Sequence, residues 1–142
     1  MSVITVEYVA QARRHQQGCE VEDLGSRRVR LSYDPDDPYA VALEVFHTDA
    51  WARWVFARSL LVHVPSRGKG LGAVHVCPAP GMPRQRVSII LRTAPGVGFE
   101  LVLRRAEVDA AVDRFDHVVA IGSESEYIDW ETELAALGGG EA

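Results

Sequence analysis

No apolar run in this chain approaches the roughly 20 residues that a membrane-spanning helix needs. The first residues, Met1 to Glu7, lack the basic start, long apolar segment and small-residue cleavage site of a secretory signal, so a cytoplasmic protein is expected. Cysteine is scarce: Cys19 and Cys77 stand at a spacing that fits no metal or redox motif, and a reducing compartment would leave them unpaired. Cations are scarce only near the C-terminus, where residues 101–142 hold 3 Arg or Lys against 10 Asp or Glu, compared with 12 against 10 in residues 1–100. A net charge of -5 argues against phosphate-backbone binding as the main activity, because that affinity comes from clustered cations displacing counterions. What is there, 47% apolar and 25% charged residues over 142 positions, suits one globular domain, expected over residues 1–137 with a flexible tail at 138–142.

Recognisable catalytic and ligand-binding motifs are also missing. Asp34, Asp36 and Asp37 lack the glycine and the final glutamate that wrap an EF-hand around calcium. His75 and Cys77 would share one face of a strand, but structural zinc needs four ligands and no CxxC or HxxxH partner is present. In Gly68-Lys69-Gly70-Leu71-Gly72 the lysine precedes the second glycine and no Ser or Thr follows the pair, which departs from a phosphate-binding loop. Ser123 lacks the second glycine of a nucleophile elbow, and the five histidines are scattered. The sequence therefore assigns no catalytic residue, metal or cofactor. Trp51 and Trp54 flanking Arg53 would make a stacking platform for single-stranded nucleic acid, to which Arg27, Arg28 and Arg30 with the Arg67 to Lys69 loop would add cations if one face carried them all. Large core residues are the competing reading of the tryptophans.

Hydrophobic periodicity gives the architecture. Val3 to Val9 alternates as a half-buried strand, and Gln11 to Ser26 has no apolar stripe and reads as a loop or a frayed extension. Val29, Leu31 and Tyr33 alternate with Arg28, Arg30 and Ser32 in a second strand, which a rigid Asp-Pro turn joins to Tyr39 to Phe46. Trp51 to Ala57 reads as a strand, followed by a short helix from Arg58 to His63. Pro65 to Gly72 reads as an exposed loop before a strand at Leu71 to Cys77. Val87, Ile89 and Leu91 answer Phe99, Leu101 and Leu103 across the Pro95-Gly96 turn in the clearest hairpin. Helical spacing predicts a helix over 105–117, and another from Asp129 to Leu137 that turns Trp130, Leu134 and Leu137 inward. Strands followed by helices, without βαβ crossovers, predict an α+β fold with about seven strands in a mainly antiparallel twisted sheet and two or three packed helices.

Particular segments carry a resemblance: Leu31-Ser32-Tyr33-Asp34, Asp37-Pro38-Tyr39-Ala40-Val41, Phe46-His47, and Trp54-Val55-Phe56-Ala57-Arg58 with Leu60-Leu61. Weaker agreement continues through Gly72-Ala73-Val74-His75-Val76, giving a span of roughly residues 28 to 137. The chain resembles the SsgA-like family of actinomycete sporulation and cell-division proteins. Ser59 stands where members usually have Asp. The resemblance implies a whirly-like sheet, self-association into a homotrimer, and no catalysed reaction. It further implies an adaptor at the division septum that brings the tubulin-like GTPase FtsZ to future septum sites, supports its polymerisation, and is itself placed by an SsgA-type sister protein. Nucleic-acid binding is the alternative function. Exposed Arg53 and Arg58 with Gly68, Lys69 and Gly70 are the candidate partner-binding residues.

Overall fold

Small side chains on one face and paired polar ones on the other let the first two strands run much further than their apolar pattern suggests. The computed structural model describes residues 2–62, 64 and 69–138. In it β1 (Ile4–Gln16) and β2 (Glu22–Tyr33) pair from Ile4↔Tyr33 to Arg14↔Glu22, with one register shift after Ala12. The loop expected over residues 11–26 is thus mostly strand. Its one buried residue is Ala12, which with the buried Ala10 just before it is too small to register as an apolar stripe. Its other partners are polar: Gln11 Nε2 donates to Asp23 Oδ1 at 2.7 Å, and Arg14 lies 3.2 Å from Glu22.

Six further strands complete one sheet: β3 (Ala40–His47), β4 (Ala50–Ala57), β5 (Lys69–Leu71), β6 (Val74–Pro78), β7 (Arg86–Ala94) and β8 (Val97–Arg104). Their order is β4-β3-β2-β1-β8-β7-β6-β5, antiparallel throughout, so two four-strand meanders meet where β8 returns beside β1. The sheet has eight strands where about seven are expected, because the apolar stretch read as one strand from Leu71 breaks at Gly72. That residue has φ +62°, and β5 lies back against β6. Part of the expected Pro65–Gly72 loop is therefore strand. Residues 65–68 lie outside the described residues.

The turn at Asp34 forms as its chemistry predicts: the Asp36 amide donates to Asp34 Oδ1 at 2.9 Å and the Asp37 amide to the Asp34 carbonyl at 2.9 Å. Hairpin β7–β8 has the predicted register, Val87↔Leu103, Ile89↔Leu101 and Leu91↔Phe99. Gly96 at its tip has φ +73°, and a Cβ placed there would meet Gln17 Oε1 at 3.0 Å. Gln17 in turn donates its amide to the Gly96 carbonyl at 2.7 Å, tying two turns together. Gly96→Ala should cost about 1–2 kcal/mol in urea denaturation, because both the backbone sign and Gln17 oppose the methyl group.

Helix α1 (Ser59–Val62) buries Leu60 and Leu61, and α2 (Arg105–Val118) buries Val108, Ala111 and Phe115. Of the acids on the other side of α2, Asp109 and Asp113 are exposed, and Glu107 and Asp116 are half-buried. The Phe115 ring stacks on Tyr33 with centroids 5.2 Å apart. A short 3₁₀ turn, Glu124–Tyr127, leads to α3 (Trp130–Gly138). Here the inward orientation expected of Trp130, Leu134 and Leu137 fails, since they are 52%, 63% and 83% exposed. No residue of α3 is buried, so its apolar stripe faces solvent and not the sheet.

Candidate functional site

Sheet parity decides which sequence-predicted residues meet. Trp51, Arg53 and Val55 point to one face of β4, whereas Trp54 points to the other, where it packs against the core. The platform of two tryptophans around Arg53 is therefore divided between faces. On the outer face, register places Glu7, Arg30, Glu44 and Arg53 in a row across four strands, charges alternating in sign. Arg30 lies 3.7 Å from Glu44, and in the next row Arg28 lies 3.1 Å from Glu7. Arg30 Cζ sits 3.5 Å from the centre of the Trp51 ring, and Arg28 Cζ lies over Phe46 and Trp51 at 5.2 and 5.3 Å. The rings that would stack on bases are thus covered by the protein's own guanidinium groups, and the row of charges is half acidic.

Arg58, expected on the surface, is 3% exposed. Its Nη1 donates to Tyr33 Oη at 2.9 Å and its Nη2 to the Val119 carbonyl at 2.7 Å, while Tyr33 Oη donates to the Pro38 carbonyl at 2.8 Å. One guanidinium so joins β2, the Asp-Pro turn, the end of β4 and the C-terminus of α2. Burial holds the Tyr33 phenol above its ordinary pKa, although Arg58 alongside pulls the other way. Because it is buried and both Nη atoms bond within the chain, Nε alone being left without a partner, Arg58 is a fold-holding residue and leaves the list of contact candidates.

Of the other candidates, Arg53 is exposed on edge strand β4, and Lys69 and Gly70 lie in β5, the opposite edge strand. Gly68 lies outside the described residues. Lys69 and Gly70 lead into a strand and a turn, without the helix that a phosphate-binding loop requires. Among the described residues no three His, Cys, Asp or Glu side chains are grouped to hold a metal ion. Ser123 precedes the 3₁₀ turn and does not end a strand.

Sequence reading missed a buried polar cluster on the outer face. Glu100, 4% exposed, accepts from Ser88 Oγ at 2.6 Å and lies 2.9 Å from His15 Nε2, with Arg13 at 3.8 Å. Burial alone would raise its carboxyl pKa. The Ser88 and His15 hydrogen bonds, with the charges of His15 and Arg13, outweigh that and hold it below the ordinary range. Ser88 and His15 both bond the carboxylate and not each other, so this serine is not paired with a base that would activate it. Burial, together with the Glu100 charge, raises the neighbouring Cys77 thiol, which lowers its thiolate fraction. The sole sequence sign of this cluster was Glu100 interrupting the apolar run from Phe99 to Leu103.

A search of known families matches residues 28–124 to the one described as Streptomyces sporulation and cell division protein, SsgA. The chain belongs to the SsgA family. It is 40% identical over 110 residues to the sporulation-specific cell division protein SsgB of Frankia casuarinae, covering 75% of each chain. It is 34% identical over 108 residues to SsgB of Thermobifida fusca, covering 75% of this chain and 77% of that one. Among solved structures, SsgB of Streptomyces coelicolor superposes with TM-score 0.65 at 26% identity over 88% of this chain and 96% of its own. The SsgA-like sporulation-specific cell division protein of Thermobifida fusca gives TM-score 0.69 at 24% identity over 96% and 97%, which shows the shared fold. The matched span of the SsgA family contains every residue of the Tyr33–Pro38–Arg58–Val119 network.

Proposed function

We propose that this SsgA-family protein is a non-enzymatic adaptor of sporulation-specific cell division, acting in the cytoplasm at the septum, where it recruits FtsZ to future division sites and supports its polymerisation. The observation that carries this reading is the family match over residues 28–124 together with SsgB relatives of 33–40% identity. The site geometry is compatible with it: in the sheet of the described residues, buried Ser88 and Glu100, with the half-exposed His15, hold one another through the carboxylate. A homotrimer suits the role physically. Several weak contacts to a repeating filament raise overall affinity about 10²- to 10⁴-fold over one contact. Edge strands β4 and β5 have backbone groups that a neighbouring subunit or filament can pair. Arg53 on β4, Lys69 and Gly70 in β5, and Gly68 are the proposed contacts; an SsgA-type sister protein is the proposed second partner.

Co-sedimentation with polymerising FtsZ tests the proposal. The wild-type protein should pellet with filaments, and Arg53→Glu, at an exposed position, should weaken pelleting about tenfold with an unchanged melting temperature. Failure of the wild-type protein to pellet, with salt-sensitive binding to labelled single-stranded DNA instead, would favour the nucleic-acid reading. The covered rings of Phe46 and Trp51 speak against that outcome.

A further inference from the structure

Arg86 and Arg104 are direct partners at the end of hairpin β7–β8. Like charges directly opposite one another destabilise a sheet, and neither they nor Arg84 and Arg105 lie within ion-pair distance of a carboxylate among the described residues, although Glu7, Glu107 and Asp109 stand nearby. The four arginines line one hollow of about 470 Å³ with Gln85, Ala106 and Asp109. The frame around it is stiff. The Arg86 amide donates to the Met82 carbonyl at 3.0 Å, the Ala79 amide to the Arg86 carbonyl at 3.0 Å, the Arg105 amide to the Gln85 carbonyl at 2.8 Å, and Arg105 Nη2 to the Pro83 carbonyl at 2.9 Å. Four cations are thus held together by backbone bonds in a chain whose net charge is negative.

We propose that this arginine hollow docks an acidic peptide segment of a partner protein. Guanidinium forks match carboxylates two bonds at a time. Met82, 43% exposed in the loop that carries Arg84, offers an adaptable apolar foothold for a bulky residue among the acids. A nucleic-acid strand fits less well. The hollow's own lining has no aromatic ring to stack on a base, Tyr8 lining only the adjoining one, and Glu7, Glu107 and Asp109 border the arginines, so there is no continuous cationic track for a backbone. The hollow is assayed without any division protein, so its failure leaves the adaptor reading untouched, and loss of FtsZ pelleting leaves this one untouched.

The test is fluorescence anisotropy of the full chain with a labelled dodecapeptide of alternating glutamate and leucine. The wild-type protein should bind, and the double variant R86Q/R104Q should bind about tenfold more weakly or worse. Arg28→Gln, on the same sheet face but outside the hollow, should change affinity less than about twofold. Removing two facing cations should also raise the double variant's melting temperature by about 1–3 °C. A lowered melting temperature would make the pair structural and overturn the proposal. So would equal loss in Arg28→Gln, equal affinity for a single-stranded DNA dodecamer, or displacement of the peptide by an equal concentration of inorganic phosphate.

Discussion

Replacing Arg58 with alanine is expected to lower the unfolding free energy by about 3–5 kcal/mol, read as a shift of the urea midpoint. Two terms add. The truncation empties a site that is 3% exposed, and it leaves the Val119 carbonyl, in a fully buried residue, without its 2.7 Å donor. The Tyr33 hydroxyl also loses a donor and a cation 4.8 Å from its ring centre. Against a typical domain stability of about 5–15 kcal/mol this is a large fraction. Arg58→Glu would do at least as much harm, since a carboxylate cannot donate to Val119 and would be buried beside carbonyl oxygens. Any loss of partner binding in that variant would report unfolding, which is why Arg53 serves as the charge-reversal test. If Arg58→Ala melted within about 1 kcal/mol of wild type, the network would be incidental.

The second large effect is at Glu100. Alanine there should cost about 2–4 kcal/mol at pH 7, because Ser88 Oγ, fully buried, loses its acceptor and His15 and Arg13 lose the charge they face. The pH dependence follows from the direction of the shift. A carboxyl whose folded pKa is depressed contributes stability that is fully present above its unfolded value, about 4.3, and that is lost as pH falls through the folded value. Wild-type stability should therefore drop on acidification below about pH 5. Glu100→Gln, starting lower, should show a shallower drop across the same window. Parallel curves for the two proteins from pH 6 to the lowest pH at which both remain soluble would contradict the assignment.

Residues in three of the segments that carried the family resemblance turn out to meet in space. Tyr33, Pro38 and Arg58 each come from a different one, and the Tyr33 hydroxyl bridges the other two by accepting from Arg58 and donating to the Pro38 carbonyl. The sequence showed the motifs as separate turns and strands. It could not show that a guanidinium after a strand would close over a tyrosine 25 positions earlier. That same ignorance put Arg58 on the surface, since an arginine after an apolar strand is usually solvated. Strands with large alternating side chains, such as Val87-Ser88-Ile89-Ile90-Leu91, were legible because each apolar residue marks its own face. The outer half of β1–β2 was not legible, since alanines carry almost no pattern and its polar pairs form only across strands.

Local chemistry in the sequence determined the Asp-Pro turn, the Pro95-Gly96 hairpin, the span of α2, and the antiparallel α+β class, because each depends on neighbours a few residues apart. Tertiary structure alone decided the eighth strand, the sides on which Trp51 and Trp54 lie, the burial of Arg58 and Glu100, the exposure of α3, and the gathering of Arg84, Arg86, Arg104 and Arg105 around one hollow. These depend on which strands pair and in what register, and a one-residue change of register would send every side chain of a strand to the opposite face.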